Sequence, residues 1–444
     1  MLNDRTKALV QEYNPWWENR PFRVPEYRRE TYSQVEKLLG TKQIVAIVGL
    51  RRVGKTVLLR QLIKDLAVEN KRNVLYFVFD DFLTMDPAIL EDVITYFLQN
   101  VASEGQKYVF LDEIQKVPYW QDILKRFYDS RDDVKFTVTG SASLQLKKSK
   151  ESLAGRVYDV HMPVLSFAEF LDMNGLPIEK PILDHASLQE VYEKNLHREG
   201  KLGEMFLEYL YKGAFPEIAL EKDEDAIKSY VRNSVLEKVV YEDIPEVFSV
   251  RRKEVLYAIM EYACRETSEI LDLKKLAATL EVNYLTARSH VFYLQNSFVL
   301  DLVYNYSKSA AKQLRKNKKV HVAHPCISVA MMGQRRDAFN AGETVGKYVE
   351  TAVYQHCHAN GVKLSFWRTP QKEEVDLILE DTMTPIEVKY KNKIDTDDTK
   401  NLVKFLNKYK QKRGFIVTKD AFGKKEIDGK EIIMVPAWLF LLTI

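Results

Sequence analysis

Residues 49–56, with the sequence GLRRVGKT, fit the phosphate-binding pattern G-x-x-x-x-G-K-[ST]. An apolar run precedes them at residues 43–49, and an amphipathic helical run follows at residues 56–67. The pattern needs a buried strand, a tight glycine turn and a helix in direct succession, so that backbone N–H groups and the helix N-terminus converge on a phosphate. It therefore predicts an α/β fold with a parallel sheet covered by helices on both faces.

Within this motif, Lys55 is expected to reach the β- and γ-phosphates of a nucleotide, and Thr56 to ligate Mg²⁺. Arg51 and Arg52 lie in the loop itself, and Arg51 faces either phosphate or water. The alternative for the whole motif is a chance match, which the flanking strand and helix argue against. Three residues before the first strand either line the pocket for the nucleotide base or have a packing role in the fold: Tyr27, Arg28 and Arg29. The full set of predicted cofactor-binding residues is Gly49, Arg52, Gly54, Lys55, Thr56 and Val57.

A second apolar strand, at residues 107–111, is followed directly by Asp112 and Glu113. Ligands of open α/β sheets bind at the carboxyl ends of the strands, so both carboxylates are predicted at the nucleotide edge. We expect Asp112 to hold Mg²⁺, through water, and Glu113 to polarise the attacking water. The next strand, residues 134–139, ends in Thr139-Gly140-Ser141. Ser141 or Thr139 would contact the γ-phosphate or that water; a simple helix cap is the alternative.

These motifs, with an inserted strand between the two phosphate-site strands, resemble the AAA+ ATPases. The segments LAGRV (153–157) and PVLSFAEFL (163–171) resemble a prokaryotic clade close to the signalling NTPases, in which the ATPase is joined to a C-terminal domain of unknown function. The resemblance implies Mg²⁺-dependent ATP hydrolysis and a helical lid. It also makes Arg156 a candidate catalytic arginine finger offered to a neighbouring subunit of a homo-oligomer. A structural ion pair is the competing role for Arg156.

Two helical runs, at residues 271–280 and 284–296, are separated by a turn and followed by strand-like runs at 298–306 and 316–321. Helix, turn, helix and hairpin is the plan of a winged helix-turn-helix. Residues 271–330 hold nine basic and three acidic residues, a local excess of +6. Duplex DNA is therefore a candidate partner, and a packing element or a solvated hairpin is the alternative. The residues expected at base edges are Asn283, Thr286, Arg288 and Ser289, and those expected at phosphates are Lys312, Arg315, Lys316, Lys318 and Lys319.

Near the C-terminus, Asp376 lies in a predicted strand (374–379), and Glu387-Val388-Lys389 lies in the next (385–390). Alternation places Glu387 and Lys389 on one face of the sheet. This Asp…Glu-x-Lys pattern, with Glu350 on the preceding helix, resembles the restriction-endonuclease-like fold. The resemblance implies metal binding by the three carboxylates, with Lys389 positioning a hydrolytic water. Two alternatives remain open: an ion-paired sheet edge, or an inherited nuclease core without activity.

The composition is that of an ordinary globular protein, with 46% hydrophobic and 29% charged residues, and its net charge of +3 excludes a whole-chain polyanion binder. Three scattered cysteines and the lack of a long apolar run favour a cytoplasmic protein without a membrane span. The predicted division is an AAA+ core (1–165), a helical lid or connector (166–266), a winged helix (267–325) and a restriction-endonuclease-like domain (326–444). The predicted function is ATP hydrolysis that drives or switches a DNA-associated activity. A slow ATP/ADP switch that binds a protein partner and a nucleotide-gated nuclease are the alternatives.

Overall fold

The computed structural model describes residues 2–80, 86–140, 153–341 and 344–443. The chain forms two compact units. The first comprises Met1–Pro163, Glu246–Ser249 and Asn296–Phe298, and the second comprises Val164–Pro245, Val250–Gln295 and Val299–Ile444.

The first unit is built on a parallel sheet of five strands. They are β1 (Ile44–Val48), β2 (Val74–Val78), β3 (Lys107–Asp112), β4 (Val134–Gly140) and β5 (Val157–His161). Their spatial order is β2-β3-β4-β1-β5. The predicted parallel α/β sheet is confirmed, and β4 is the inserted strand between β1 and β3. The three strands predicted at residues 43–49, 107–111 and 134–139 lie within one residue of their expected bounds. The missed strand, β5, is an edge strand with mostly exposed side chains.

Helices cover this sheet because its inner strands are largely buried; every residue of β1 and of β4 is buried. The helices are α1 (Asp4–Tyr13), α2 (Thr31–Leu38), α3 (Lys55–Asn70), α4 (Pro87–Asn100) and α5 (Trp120–Ser130). Aromatic side chains from strands and helices form the core on one face, among them Phe77, Phe97, Trp120 and Phe136. Because β1, β3 and β4 pair in parallel, their carboxyl ends lie at one edge of the sheet.

The chain continues into a largely helical stretch. Its first helix, α6 (Phe167–Met173), begins with a capping box in which Ser166 and Glu169 bond each other's backbone N–H. The helices that follow are α7 (His185–Asn195), α8 (Glu199–Lys212), α9 (Glu224–Ser229), α10 (Ile244–Val247) and α11 (Lys253–Arg265). Two π-helical segments, Tyr230–Leu236 and Val239–Asp243, lie between α9 and α10.

The second unit contains a mixed sheet of nine strands in the order β13-β14-β12-β11-β10-β9-β7-β8-β6. The strands are β6 (Ile270–Leu271), β7 (Leu300–Asn305), β8 (Lys318–Val322), β9 (Leu364–Arg368), β10 (Glu374–Leu379), β11 (Thr384–Lys389), β12 (Arg413–Thr418), β13 (Gly423–Ile427) and β14 (Lys430–Pro436). The remaining helices are α12 (Leu273–Thr279), α13 (Tyr284–Asn296), α14 (Ala310–Arg315), α15 (Pro325–Met331), α16 (Arg336–Ala341), α17 (Val345–Ala359), α18 (Thr396–Lys408) and α19 (Ala437–Phe440).

The hairpin of β7 and β8 is continuous with the C-terminal part of this sheet. β7 pairs in parallel with β9, with Tyr304 opposite Ser365 and Asn305 opposite Phe366. β8 pairs antiparallel with both β7 and β6. The expected helices and hairpin are therefore present, and α13 has its predicted bounds. Two local expectations were wrong: residues 310–315 form helix α14 rather than part of a hairpin, and Lys319 is buried within β8.

The described residues contain no helix long and apolar enough to cross a lipid bilayer.

A buried histidine begins α15. The Nδ1 atom of His324 accepts the backbone N–H of Cys326 at 3.1 Å, and the ring packs edge-on against Tyr209. Burial lowers the pKa of His324 to about 3. The folded protein therefore keeps a neutral imidazole at a pH at which the unfolded chain protonates it.

We expect His324→Asn to reduce the loss of stability in acid. In the unfolded chain, His324 binds a proton below the ordinary histidine pKa of 6.5. In the folded chain, it binds one only below about pH 3. The free energy of unfolding therefore decreases as the pH falls from 6.5 to about 3. The wild type should lose up to about 1.4 kcal/mol per pH unit more than the variant, measured by urea unfolding at several pH values. Asparagine keeps a capping acceptor. His197→Asn, at an exposed position, is the control; equal slopes for wild type and His324→Asn would contradict the assignment.

Candidate active site

The loop after β1 takes the shape that its glycines allow. Gly54 has a φ of +103°, in the left-handed region that favours glycine. At Gly49, a Cβ atom would lie 2.2 Å from the carbonyl oxygen of Met162, so only glycine permits this close approach. The Lys55 side chain is buried and its Nζ donates to the carbonyl oxygens of Gly49 (3.1 Å) and Leu50 (3.0 Å). The lysine thus lies folded over its own loop, at the place where the motif expects phosphate.

The other predicted loop residues lie around this lysine. Thr56 is exposed in the first turn of α3, Val57 is half-buried behind it, and Arg52 is exposed. Arg29 has a structural role: its guanidinium donates to the carbonyl oxygens of Val53 (2.6 Å) and Pro163 (2.9 Å). Packing is therefore the observed role of Arg29, which ties the loop to the chain that follows β5.

Asp112 lies at the end of β3, 1% exposed, and both of its oxygens are held. The Tyr76 hydroxyl donates to Oδ2 at 2.9 Å, and the Thr139 hydroxyl donates to Oδ1. Thr139 Oγ1 also accepts the backbone N–H of Glu113 at 3.1 Å. Thr139, on the strand between β1 and β3, therefore orients both acidic residues. No sequence motif pointed to Tyr76, and the predicted Ser141 lies outside the described residues.

Glu113 follows Asp112 in a left-handed backbone conformation, with a φ of 53°. This conformation is uncommon for a residue other than glycine, asparagine or aspartate and is often found at functional sites. The Gln115 amide donates to Glu113 Oε2. Burial raises the pKa of Glu113, and the positive charge of Lys55 opposes that rise. The carboxylate and the loop lysine therefore lie on the same side of the sheet, close enough to interact.

The structure does not bring Arg156 to this loop. Its guanidinium pairs with Asp129, with Nε 2.8 Å from Oδ1 and Nη2 3.3 Å from Oδ2. Its carbonyl oxygen accepts the N–H of Ile44, the first residue of β1. Arg156 thus lies at the amino edge of the parallel sheet, opposite the edge that carries the P-loop.

We expect Thr139→Val to lower both stability and catalytic rate. Valine matches threonine in shape but removes the hydroxyl that serves Asp112 and Glu113, which leaves a buried carboxylate oxygen and an N–H without that partner. The cost should be about 1–3 kcal/mol by chemical denaturation, with a slower single-turnover ATP hydrolysis. The control is Thr137→Val, since the buried Thr137 hydroxyl on the same strand has no hydrogen-bond partner among the described residues. A Thr139→Val protein as stable and active as Thr137→Val would contradict this role.

In the second unit, the structure brings together the four predicted C-terminal residues. Asp376 Oδ2 accepts the backbone N–H of Val388 at 2.8 Å, and Lys389 Nζ lies 2.6 Å from Glu387 Oε1, as their shared face predicts. Burial raises the pKa of Glu350 and that of Glu387 each to about 8. Within the described ranges, no group of three or more histidine, cysteine, aspartate or glutamate side chains has the spacing of a metal site.

A residue expected elsewhere joins this cluster. Lys319, predicted at a DNA phosphate, is 3% exposed and its Nζ lies 2.8 Å from Glu350, 2.5 Å from Glu374 and 3.5 Å from Asp376. The prediction was wrong because β8 is an inner strand of the sheet, where alternation turns Lys319 inward. Glu374 carried no signal in the sequence beyond its position two residues before Asp376.

The remaining basic residues near β8 keep partial access to solvent. Lys312, Arg315 and Lys316 are exposed, and Lys316 also donates to Asn305 at 3.2 Å. Lys318 is half-buried, 4.9 Å from the centre of the Tyr304 ring.

At the start of α13, the side chain of Asn283 accepts the N–H of Thr286 at 2.8 Å and so caps the helix. Tyr284, Leu285 and Phe292 on the same helix are exposed. The face expected to read DNA bases therefore carries apolar as well as polar groups.

Comparison with known families assigns three segments of the chain. Residues 41–171 match a family described as an AAA domain. Residues 203–338 and 345–439 match two domains of unknown function, DUF8612 and DUF4143. The first segment contains the P-loop, Asp112, Glu113 and Thr139, so the site described above belongs to an AAA-type domain.

Among proteins of similar sequence, an uncharacterized protein of Methanocaldococcus jannaschii is 28% identical over 465 aligned positions, which cover 99% of this chain and 92% of the relative. An uncharacterized protein of Haemophilus influenzae is 24% identical over 423 positions, covering 93% and 98%. Among solved structures, a Walker-type ATPase of Pyrococcus abyssi matches with a TM-score of 0.46 and 13% identity, covering 71% of this chain and 99% of that one.

Proposed function

We propose that this protein, which carries an AAA domain at residues 41–171, binds ATP with Mg²⁺ and hydrolyses it. The observation that carries the proposal is the hydrogen-bond arrangement around Thr139, which holds Asp112 and the backbone of Glu113 at the same sheet edge as Lys55. Walker-type sites need a phosphate-binding lysine, a metal-binding aspartate and a water-orienting carboxylate at that edge. Here the lysine comes from the loop after β1, and both carboxylates come from the end of β3.

The residues fit the nucleotide and its metal. Thr56 and Asp112 offer the hydroxyl and carboxylate oxygens that Mg²⁺ prefers, and the left-handed turn at Gly54 opens the helix that follows the loop. Mg²⁺ bound with ATP neutralises charge on the β- and γ-phosphates. Lys55 would exchange its loop carbonyl partners for phosphate oxygens. Glu113 would orient the attacking water and accept its proton, a role that its raised pKa supports.

The working partner that we propose is duplex DNA. Helix α11, β6, α12, α13, β7 and β8 follow one another in the order of a winged helix-turn-helix, with β8 between β6 and β7. The exposed Lys312, Arg315 and Lys316 supply positive charge beside this hairpin, and such groups bind phosphates without reading sequence. Hydrolysis of ATP would then drive or switch a DNA-associated activity.

We expect duplex DNA to stimulate ATP hydrolysis several-fold at low salt. A triple variant with Lys312, Arg315 and Lys316 changed to glutamine should lose this stimulation while keeping its basal rate. Loss of three phosphate contacts should also reduce the slope of log affinity against log salt by about 3, measured by fluorescence anisotropy of labelled DNA. A triple variant at the exposed Lys412, Lys419 and Lys424 matches the change of charge. DNA binding that both triple variants retain would place the contact outside α14.

A second candidate is a slow ATP/ADP switch that binds a protein. The observation that favours it is the set of exposed apolar side chains on α13, Tyr284, Leu285 and Phe292, which exceed 40% exposure. Several exposed large apolar side chains on one helix are typical of a surface that binds a protein partner. A low hydrolysis rate that is indifferent to DNA, and unaffected by the triple variant at α14, would favour this candidate over the first.

A further inference from the structure

The carboxylates of the second unit surround an ammonium group that the chain itself supplies. Lys319 comes from β8, Glu350 from α17, and Glu374 and Asp376 from one face of β10. Three carboxylates from two elements thus lie within 3.5 Å of one Nζ atom. Hard divalent cations are bound by the same oxygen donors from converging side chains.

One oxygen of the cluster has no partner. Glu387 Oε2 is buried without a hydrogen bond among the described residues, on a side chain that is 5% exposed. Its other oxygen pairs with Lys389, and its charge interacts with those of Asp376 and Lys319. Buried carboxylate oxygens are normally satisfied, so an orphaned one beside three other acidic groups points to a place for a cation.

The charges around the cluster indicate how it would respond to a missing lysine. Glu374 is also paired with Arg368, with Nη1 at 3.0 Å from Oε2. Glu350 and Asp376 both pair with Lys319, and Lys389 pairs with Glu387. Loss of Lys319 would leave Glu350 and Asp376 without their shared ion-pair partner, and the buried cluster would carry excess negative charge beside Lys389.

We infer that Lys319 is a built-in cation that takes the place of a divalent metal ion at the cluster of Glu350, Asp376 and Glu387, and keeps such ions out. The C-terminal domain then uses a lysine from β8 to close a site that would otherwise bind Mg²⁺ or Mn²⁺. This goes beyond the proposed ATP hydrolysis and does not depend on it. It also selects, among the readings of the C-terminal motif, a domain that contributes binding or structure rather than metal-dependent cleavage.

The test is titration of the nucleotide-free, full-length protein with Mn²⁺, with the free ion followed by electron paramagnetic resonance. Lys319→Met should bind one Mn²⁺ at least about tenfold more tightly than the wild type, because three hard oxygen donors become available. Lys318→Met, at the neighbouring half-buried position, is the matched control and should behave as the wild type. Adding Glu387→Gln to Lys319→Met should remove the new site.

Lys319→Met leaves buried carboxylates unpaired and could fail to fold. The double variant Lys319→Met/Glu374→Gln removes one of those charges and keeps Glu350, Asp376 and Glu387 as donors. Mn²⁺ should raise the unfolding temperature of the double variant and not that of Glu374→Gln alone, because a ligand stabilises only the state that binds it. Two results would overturn the inference: a wild type that binds Mn²⁺ and loses it in Glu387→Gln, or a folded double variant that gains no affinity for Mn²⁺.

Discussion

Lys55→Ala is expected to weaken ATP binding by about 100-fold or more and to abolish measurable hydrolysis. The Lys55 ammonium is the buried cation of the loop, and its present partners are the carbonyl oxygens of Gly49 and Leu50. Charge-assisted contacts to phosphate contribute about 1.5–3 kcal/mol each, and a lysine on the β- and γ-phosphates supplies at least two of them. Isothermal titration calorimetry with ATP and Mg²⁺ measures the loss directly.

The control for this variant is Lys64→Ala, which removes an exposed lysine from the same helix, α3. Both variants change the net charge equally, so a difference in ATP affinity between them measures the contribution of the lysine in the phosphate-binding loop. Because Lys55 also ties the loop together, urea unfolding should accompany the binding assay. An ATP affinity unchanged in a folded Lys55→Ala protein would exclude residues 49–56 as the phosphate site.

Glu113→Gln is expected to bind ATP but to hydrolyse it about 10²–10⁴ times more slowly, the range that a positioned general base contributes. Glutamine keeps the shape of the side chain, and its amide oxygen can still accept from Gln115. It cannot take a proton from water. The folded state should tolerate the change, because burial already disfavours the charged form of Glu113. Single-turnover hydrolysis and equilibrium ATP binding, measured on the same preparation, separate the two effects.

Glu104→Gln, at an exposed position before β3, provides the matched control and should hydrolyse ATP at the wild-type rate. If Glu113→Gln also kept that rate, water would have to be oriented by another group at this edge. Weakened ATP binding in Glu113→Gln would instead indicate that the carboxylate contributes to the binding of ATP before hydrolysis.

Local sequence was a reliable guide wherever a motif and its flanking elements reinforced each other. The strands that carry the P-loop and the Asp112-Glu113 pair were placed within one residue, because buried parallel strands are continuous apolar runs. Strand β10 and helix α13 also have their predicted bounds. Strand β13 was missed because it is mostly charged and exposed and therefore has no apolar pattern.

Contacts between side chains on strands far apart in the sequence could not be predicted from local sequence patterns. Tyr76 and Thr139 meet Asp112 only because β2, β3 and β4 are neighbours in the sheet. Lys319 sits in a run of basic residues that resembles a solvated wing, and nothing within that run distinguishes it from Lys318. The pairing of β7 with β9 turns the hairpin into part of a larger sheet, and that pairing gives Lys319 its carboxylate partners.

The amino-acid sequence by itself determined the phosphate loop, the acidic pair and the parallel α/β sheet, because each depends on spacing along a few consecutive residues. The tertiary structure decided which residues hold the acidic pair in place, where Arg156 lies, and which cation faces Glu350 and Asp376. These depend on the order of strands in a sheet, and that order joins residues far apart in the chain. The same lysine would be a surface charge in an isolated hairpin, and in this sheet it is a buried counter-charge.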